Sequence, residues 1–494
     1  MNENGPIARR VAYNTTVQFA GRIAVAILAI ITTRLIAERL GVHDYGRYTT
    51  IFAYITFFGA MADFGFFWYL VREVSKDKDQ TEKITANVLT IRTLFALGVV
   101  AIGSILAFTI PNYDPVVRYG IVLVALSSLW VSISNTLIGV FQANQRMDYP
   151  VINEVVGRIG SLIVVFLVIR SGMDLLPIVI GSLSGGLIVF LLNGLFVRRY
   201  TRLRFGFDRG LWKEIMRENT TLGLSILLSI IYFKIDSVIL SILKPATDVG
   251  IYGAPYRVIE ILLAFPAMFM GAVFPDLSRL IHEANMDKVK VVLQKAFDLL
   301  VVAGWGVTVS TIVLAGPIIH FTTKGEESFL TTSTITLFNQ PMTAAITLQI
   351  LAVAVGIAFL GNFFFSAIVA QGAQKQLIAS NLANSVVNIG LNLIFIPILT
   401  YVGAATVTII SELIVVGFGT AILRRRLGFV PRLRSLWLAG ILSAFLGVFL
   451  YLIRDQVHVV IAGLLGLAFY TLLAMACGLV GGIGPRRPNR VESN

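Results

Sequence analysis

The stretch DYGRY at residues 44–48 returns as DVGIY at residues 248–252, so both copies have the form D-x-G-x-Y. A second pair, QANQR at 142–146 and QGAQK at 371–375, follows in the same order. Each pentapeptide alone is weak evidence of a repeat. Their shared order, and their matching places between apolar runs, predict that the chain contains two duplicated halves.

The composition of the 494 residues places these halves in a lipid bilayer. Hydrophobic residues make up 56% and charged residues 14% of the chain, whereas ordinary globular domains carry about 25% charged residues. So few charges cannot cover a water-facing surface, which excludes a soluble enzyme, a disordered chain and a fibrous repeat. The net charge of +13 is spread in short strips between apolar runs, which does not indicate a nucleic-acid partner. The single cysteine, Cys477, excludes an intramolecular disulfide.

Apolar runs long enough to cross a bilayer recur along the whole chain. A spanning helix needs about 20 mostly apolar residues, and the sequence predicts fourteen such spans. They cover residues 13–35, 48–70, 84–108, 119–140, 151–170, 175–197, 219–243, 251–274, 291–319, 344–368, 377–399, 404–423, 435–453 and 459–483. The predicted fold is therefore an all-α, polytopic membrane protein.

Lysines and arginines divide the connections between these spans into two sets. Most of them lie in the alternate connections that include both termini, and cytoplasmic loops are the ones enriched in Lys and Arg. We therefore predict a multi-pass protein of the plasma (inner) membrane with cytoplasmic N- and C-termini. The predicted divisions are an N-lobe of six spans (1–197), a cytoplasmic amphipathic linker (198–218), a C-lobe of six spans (219–423), and a last pair of spans with the tail (424–494).

Several motifs resemble those of a known family. GVHDYG at 41–46 and DFG at 63–65 resemble the opening of the polysaccharide and lipid-linked oligosaccharide flippases of the multidrug/oligosaccharidyl-lipid/polysaccharide (MOP) exporter superfamily. YFKID at 232–236 and FPDLS at 274–278 are similar to the second-half pattern of that family. The resemblance implies two six-helix lobes in a V, as in the related MATE drug exporters, with alternating access between them and export of a lipid-linked oligosaccharide.

Three arginines are predicted to lie inside the bilayer in the first half. Arg22, Arg92 and Arg158 fall on spans one, three and five, about 10–13 Å from the inner edge at about 1.5 Å per residue. An arginine at a helix centre costs about 2.5–3.5 kcal/mol on insertion scales, so it usually faces a cavity or a partner. Because a guanidinium makes paired hydrogen bonds to phosphate, we expect this layer to bind the substrate's diphosphate. The alternative is internal pairing, of Asp63 with Arg22 or Arg92 and of Glu154 with Arg158.

Charges on the predicted spans of the second half are scattered in depth. The residues that we assign as coupling sites or structural pairs are Asp63, Glu154, Lys234, Asp236, Arg257 and Glu412. Ion coupling through one of the carboxylates stays open, although a carboxylate paired with arginine is a poor proton acceptor. The four histidines lie apart and near span ends, so the sequence predicts no metal site and no cofactor.

These observations together favour a transporter. We predict a flippase that moves polyprenyl-diphosphate-linked oligosaccharide from the inner to the outer leaflet for cell-surface polysaccharide biosynthesis. Its partners would be this substrate, the bilayer and polysaccharide-assembly enzymes. Two alternatives stay open: a cation-coupled multidrug exporter of the same superfamily, and a membrane glycan polymerase or glycosyltransferase. An enzyme is not expected because the 320–343 connection offers only His320, Lys324, Glu326 and Glu327 as catalytic candidates.

Overall fold

The computed structural model describes residues 5–479, which are mostly helical. In chain order the elements are α1 (Gly5–Met61), α2 (Phe66–Lys76), α3 (Thr81–Thr109), α4 (Pro115–Ala143), α5 (Asp148–Arg170), α6 (Leu175–Val197), α7 (Arg209–Leu243), α8 (Ala246–His282), α9 (Met286–Val313), α10 (Ala315–Thr322), α11 (Ser328–Thr331), β1 (Thr336–Leu337), β2 (Gln340–Pro341), α12 (Ala344–Ala370), α13 (Gln374–Leu427), α14 (Arg434–Ile453) and α15 (Val459–Ala476). Within the described range, the short antiparallel ribbon of β1 and β2 is the only sheet.

Within the described residues, the helices account for every predicted span; the end of the last one, residues 480–483, and the tail to residue 494 lie outside that range. Among the described residues, eleven helices are long and apolar enough to cross a membrane. Two of them, α1 and α13, are kinked and each contains two predicted spans. The remaining span lies in α7. The all-α, multi-pass fold is therefore confirmed.

The kink in α1 separates the first two spans at a single residue. Gly41 has φ 63° and ψ 176°, a conformation that is essentially restricted to glycine. The backbone N–H of Val42, directly after the kink, donates to Oγ of Ser328 at 3.2 Å. The segment that begins α11 therefore satisfies a donor that the kink removes from the helix.

The second span ends earlier than expected. The prediction placed its end at residue 70, but α1 ends at Met61 and a turn follows before α2. Phe64 (φ 37°) and Gly65 (φ 81°) have left-handed backbone conformations, which end the helix. In α2 the apolar residues at helical spacing, beginning with Phe66 and Leu70, are buried, so this short helix packs against the body of the protein.

The amphipathic stretch that was expected as a linker helix is the first part of α7. This helix runs without a break from Arg209 into the seventh span. Asp208 caps its start, because its carboxylate accepts hydrogen bonds from the backbone N–H groups of Gly210 and Leu211. Residues 201–208, which end with this cap, form neither helix nor strand.

The chain divides into two compact units. One comprises the described residues up to Ala254 together with Thr322–Ile335 and Ser385–Ala404. The other comprises Pro255–Phe321, Thr336–Asn384 and the described residues from Ala405 on. In the first unit, α4 packs against α3, α6 and the second half of α1. In the second unit, α9 packs against α12 and α14, and α14 pairs with α15.

Candidate functional site

Arg92 on α3 occupies a closed polar site inside the first unit. Its Nη2 lies 2.6 Å from Oδ1 of Asp63. Its guanidinium also donates to the hydroxyls of Ser132 at 3.2 Å and Thr136 at 3.5 Å, which lie one turn apart on α4. The arginine side chain is only 2% exposed. Arg92 therefore offers almost no surface to a ligand. Its pairing with Asp63 agrees with the alternative of internal pairing and not with the expected binding of a diphosphate.

The turn after α1 places the carboxylate of Asp63 beside Arg92. The carbonyl of Asp63 accepts a hydrogen bond from the backbone N–H of Phe66 at 2.9 Å, which closes the turn. Removing a guanidinium from water is costly unless a paired charge compensates it. Asp63 itself is 31% exposed. The ion pair is therefore open to its surroundings on the carboxylate side only.

Arg158 and Glu154 on α5 form a loose and open pair. Their nearest charged atoms are 4.0 Å apart, and the two side chains are 46% and 52% exposed. A pair this exposed contributes little to stability, about 0–1 kcal/mol. Because its partner does not enclose it, the guanidinium of Arg158 can still reach a ligand.

Arg22 on α1 is exposed and has no charged or hydrogen-bonded partner in the described part of the chain. Its neighbour Gly21 contacts Val151 near the start of α5, where a Cβ on the glycine would lie 2.1 Å from Cγ1 of the valine. Arg158 lies about two turns beyond Val151 on α5. Since Arg22 is itself one residue beyond Gly21, Arg158 is about 9 Å further along the helix direction than Arg22, at about 1.5 Å per residue. Arg22 and Arg158 are therefore at two levels, whereas the sequence predicted a single layer.

On α1 and α5, the charged residues and the exposed apolar residues lie on different sides of the helix. On α1 the exposed residues Phe19, Ile23, Ile27 and Ile31 recur every four positions and form one stripe. Arg22 lies outside that stripe, on a side that it shares with small and polar residues at helical spacing: Gln18, Ala29 and Thr33.

The same separation holds on α5. Ile152, Val156, Ile159 and Ile163 form its exposed apolar stripe. Glu154 and Arg158 lie on the opposite side of the helix at 100° per residue. Apolar stripes of this kind match the surfaces that lipid tails cover in membrane proteins, and the charged residues lie off them.

In the second half, the structure scatters the predicted charges among separate sites. Asp236 on α7 is buried and accepts hydrogen bonds from the hydroxyl of Tyr252 at 2.5 Å and from the backbone N–H of Ser237 at 2.7 Å. Arg257 on α8 pairs with Glu260, one turn further on, at 2.8 Å. Lys234 is half-buried on α7 and Glu412 is buried on α13. None of these four is brought to Arg22 or Arg158 by a described contact.

The structure brings together the two copies of the D-x-G-x-Y motif, which sequence reasoning did not foresee. A Cβ at Gly46 would lie 1.7 Å from the carbonyl oxygen of Ala246, and one at Gly250 would lie 2.0 Å from that of Val42. The backbones of α1 and α8 therefore touch at these glycines. We call this contact, between residues 42–49 and 246–253, the motif crossing.

Equivalent residues of the two copies face each other along the motif crossing. Nδ1 of His43 lies 3.1 Å from Oγ1 of Thr247. A Cβ at Gly253 would lie 2.7 Å from Oγ1 of Thr49. Each of these pairs has the same sequence separation as Gly46 and Gly250. The crossing therefore has a local two-fold relation that follows the repeat.

The sequence analysis also did not predict a buried hydrogen-bond network between two asparagines and a serine. Asn153 on α5 donates to Oδ1 of Asn193 on α6 at 2.8 Å, and Asn193 donates to Oγ of Ser134 on α4 at 2.9 Å. All three side chains are buried. Asparagines inside apolar spans are the signal that could have found it, because amides hold neighbouring helices together in a membrane.

Comparison with known proteins identifies the family. A family profile described as polysaccharide biosynthesis protein matches residues 11–281, and a profile described as MatE matches residues 222–394. No curated protein sequence matches the chain.

Solved structures share its fold. A structure described as the lipid II flippase MurJ in an inward closed conformation has a TM-score of 0.75 and 16% identity, covering 94% of this chain and 98% of that one. An inward-facing multidrug resistance MATE family transporter of the MOP superfamily has a TM-score of 0.65 and 14% identity, covering 84% and 98%. A MOP superfamily transporter from Pyrococcus furiosus has a TM-score of 0.55 and 14% identity, covering 85% and 96%.

The family resemblance inferred from the residues is thus confirmed. The polysaccharide biosynthesis profile covers more than half of the 494 residues, and the protein therefore belongs to the polysaccharide biosynthesis protein family.

Proposed function

We propose that the protein is a flippase that carries a polyprenyl-diphosphate-linked oligosaccharide from the inner to the outer leaflet by alternating access. Sugar hydroxyls and a diphosphate cannot cross hydrocarbon unaided, because each unsatisfied polar group costs several kcal/mol there. The observation that carries the proposal is that Arg22 and Arg158 are exposed and lie off the apolar stripes of their helices. They would bind the phosphate oxygens in succession, since they lie at two depths.

Arg92 and Asp63 have a different role in this proposal. Arg92 is enclosed by Asp63 and two hydroxyls, so it acts as a positioning residue that holds the turn between α1 and α2. A carboxylate at this turn would repel the diphosphate if it were unpaired, and the guanidinium beneath it reduces that repulsion. The pair therefore keeps the wall compatible with an anionic substrate.

The motif crossing is our candidate for the closed outer end of the pathway. We place the protein in the plasma membrane with both termini in the cytoplasm, so that α1 and α8 meet near the outer surface. Opening to that surface would require the contact between Gly46 and Gly250 to part. Polysaccharide-assembly enzymes would supply the substrate on the inner side and consume it on the outer side.

A leaflet-specific assay tests the function. Purified protein in proteoliposomes should move labelled polyprenyl-diphosphate oligosaccharide to the opposite leaflet, with a membrane potential and a pH gradient applied separately. Arg22→Ala and Arg158→Ala should each slow this movement about tenfold or more, since a hydrogen bond to a charged group contributes about 1.5–3 kcal/mol. Arg170→Ala, at the far end of α5, is the matched control and should leave the rate unchanged. Wild-type rates in both variants would contradict the assigned roles.

A cation-coupled multidrug exporter is the second candidate, and the MatE match over residues 222–394 favours it. A cationic drug requires an acidic binding surface. Over the stretches of α1 and α5 that carry the apolar stripes, residues 19–31 and 152–163, the exposed charges off the stripes are Arg22, Arg158 and Glu154. Transport of cationic drugs that is abolished by Glu154→Gln and unaffected by Arg158→Ala would establish this alternative.

A further inference from the structure

The connection between α6 and α7 contains a segment that lies along α3, which we call the strap (residues 201–208). The backbone N–H of Gly206 donates to Oγ1 of Thr90 at 2.9 Å. The backbone N–H of Asp208 donates to Oδ1 of Asn87 at 2.7 Å. These two bonds from backbone to α3 side chains hold the end of the strap against α3, and the backbone of Asp208 is extended (φ −123°, ψ 108°).

One side of the strap faces α3. Arg204 pairs with Glu82 at 3.6 Å and Asp208 pairs with Lys83 at 2.9 Å. The hydrogen bond from Lys83 holds the pKa of Asp208 below its usual range. A Cβ at Gly206, between the two, would lie 3.0 Å from the side chain of an α3 alanine. The even-numbered strap residues 204, 206 and 208 are therefore the ones that dock.

The other side of the strap is apolar and exposed. In an extended chain successive side chains alternate between two sides, so Leu203, Phe205 and Phe207 share the side away from α3. Phe205 is 69% and Phe207 is 72% exposed. The Phe207 ring packs edge-on against Trp212, whose indole N–H donates to the same α3 asparagine that holds the strap. The Phe207 end of the row is therefore held in position by Trp212.

Basic residues flank this apolar row in the sequence. Six basic side chains close to it in the sequence are exposed and make no ion pair within the described residues: Arg198, Arg199, Arg202, Arg209, Lys213 and Arg217. The acidic residues nearby are fewer, and two of them, Asp208 and Glu218, are paired with Lys83 and Arg72. Apolar rings between unpaired guanidinium groups match a surface that offers both acyl chains and phosphate.

We propose that the strap is a binding surface for anionic phospholipid headgroups of the leaflet next to it. Leu203, Phe205 and Phe207 insert at the boundary between headgroups and acyl chains, and the arginines on both sides bind lipid phosphates. The docking to α3 matters because a preordered surface loses little conformational entropy when it binds. Anionic lipids bound at the strap would therefore lie next to the start of α7.

Lipid quenching in the full-length protein tests the proposal. In a Cys477→Ala background, Phe205→Cys carries an apolar fluorophore, and the protein is reconstituted with lipids that bear a shallow nitroxide quencher. Quenching by nitroxide phosphatidylglycerol should exceed quenching by the matched phosphatidylcholine about threefold or more. Neutralising Arg198, Arg202 and Arg209 to glutamine should bring that ratio to about one while leaving the quenching by phosphatidylcholine.

A second labelled position separates insertion from general exposure. Asp79→Cys lies in the exposed turn between α2 and α3, and its label should be quenched weakly by both lipids. The proposal is overturned if position 205 is quenched as weakly as position 79, or if it is quenched equally by both lipids while the arginines are intact. A label at position 205 that is shielded from a water-soluble quencher but not reached by either lipid would indicate a protein partner, which also overturns it.

Discussion

At the residue scale, Arg92 is held by one carboxylate and two hydroxyls, and Asp63 is the only charged group among them. This composition makes the site sensitive to the loss of one partner. Removing one member of a buried ion pair leaves an uncompensated charge and costs about 3–5 kcal/mol, whereas removing both can be nearly neutral. The exposed pair of Arg158 and Glu154 should behave differently, because water screens it.

A double-mutant cycle checks this difference. Asp63→Asn should lower the unfolding free energy by about 3 kcal/mol, because it leaves the buried guanidinium uncompensated. Arg92→Gln should lower it less, because Asp63 is partly exposed, and the double variant should recover much of the loss of Asp63→Asn. Thermal unfolding of the purified protein in detergent is the measurement. Arg158→Gln is the control, and it should shift the midpoint little. Losses that simply add in the double variant would show that the two side chains do not depend on each other.

The sequence could name two candidate partners for Asp63 but could not select one. Asp63 was expected to pair with Arg22 or Arg92, and depth on the spans did not distinguish them. The choice is made by the left-handed turn at Phe64 and Gly65, which ends α1 and turns the carboxylate toward α3. Turn geometry of this kind depends on tertiary packing, which a hydropathy pattern does not contain.

At the element scale, α3 and α7 are joined by the side chain of Asn87. Its Oδ1 accepts hydrogen bonds from the backbone of Asp208 and from the indole of Trp212. The asparagine is buried, so both donors would be left without a partner if it were removed. Asn87 therefore joins the start of α7 and the end of the strap to α3 through one side chain.

Limited proteolysis measures that dependence. Asn87→Ala should detach the strap, and trypsin should then cleave after Arg202 or Arg204 at least about tenfold faster, because each lost buried bond costs about 1–3 kcal/mol. Asn144→Ala is a suitable comparison, since its side chain bonds only to the carbonyl of Val140 in its own helix. Equal cleavage rates in the two variants would mean that other contacts hold the strap.

At the scale of the whole molecule, hydropathy predicted the fourteen spans, because a spanning helix requires a long apolar run. The repeat was predicted from two pairs of short motifs. The contact between the two copies of the D-x-G-x-Y motif was not predicted. Sequence similarity between two segments does not show whether they are in contact. The close approach at Gly46 and Gly250 requires the absence of side chains. The motif shows that both positions are glycine, but it does not show why.

Cross-linking across the motif crossing tests whether it opens during transport. His43→Cys and Thr247→Cys, in a Cys477→Ala background, should form a disulfide on oxidation, because the native side chains lie 3.1 Å apart. The disulfide should stop substrate movement in proteoliposomes, and a reductant should restore it. Each single-cysteine variant, oxidised in the same way, should remain active. Full activity in the cross-linked protein would exclude movement at this contact.

The pairing of equivalent residues at the motif crossing also has an evolutionary consequence. Two identical subunits about a two-fold axis form reciprocal contacts of this kind, in which Gly46 approaches Ala246 and Gly250 approaches the equivalent Val42. A half-length ancestor could thus have assembled as a homodimer through this same patch before gene fusion. The residues that the two copies still share, Asp, Gly and Tyr of the motif, lie in this patch.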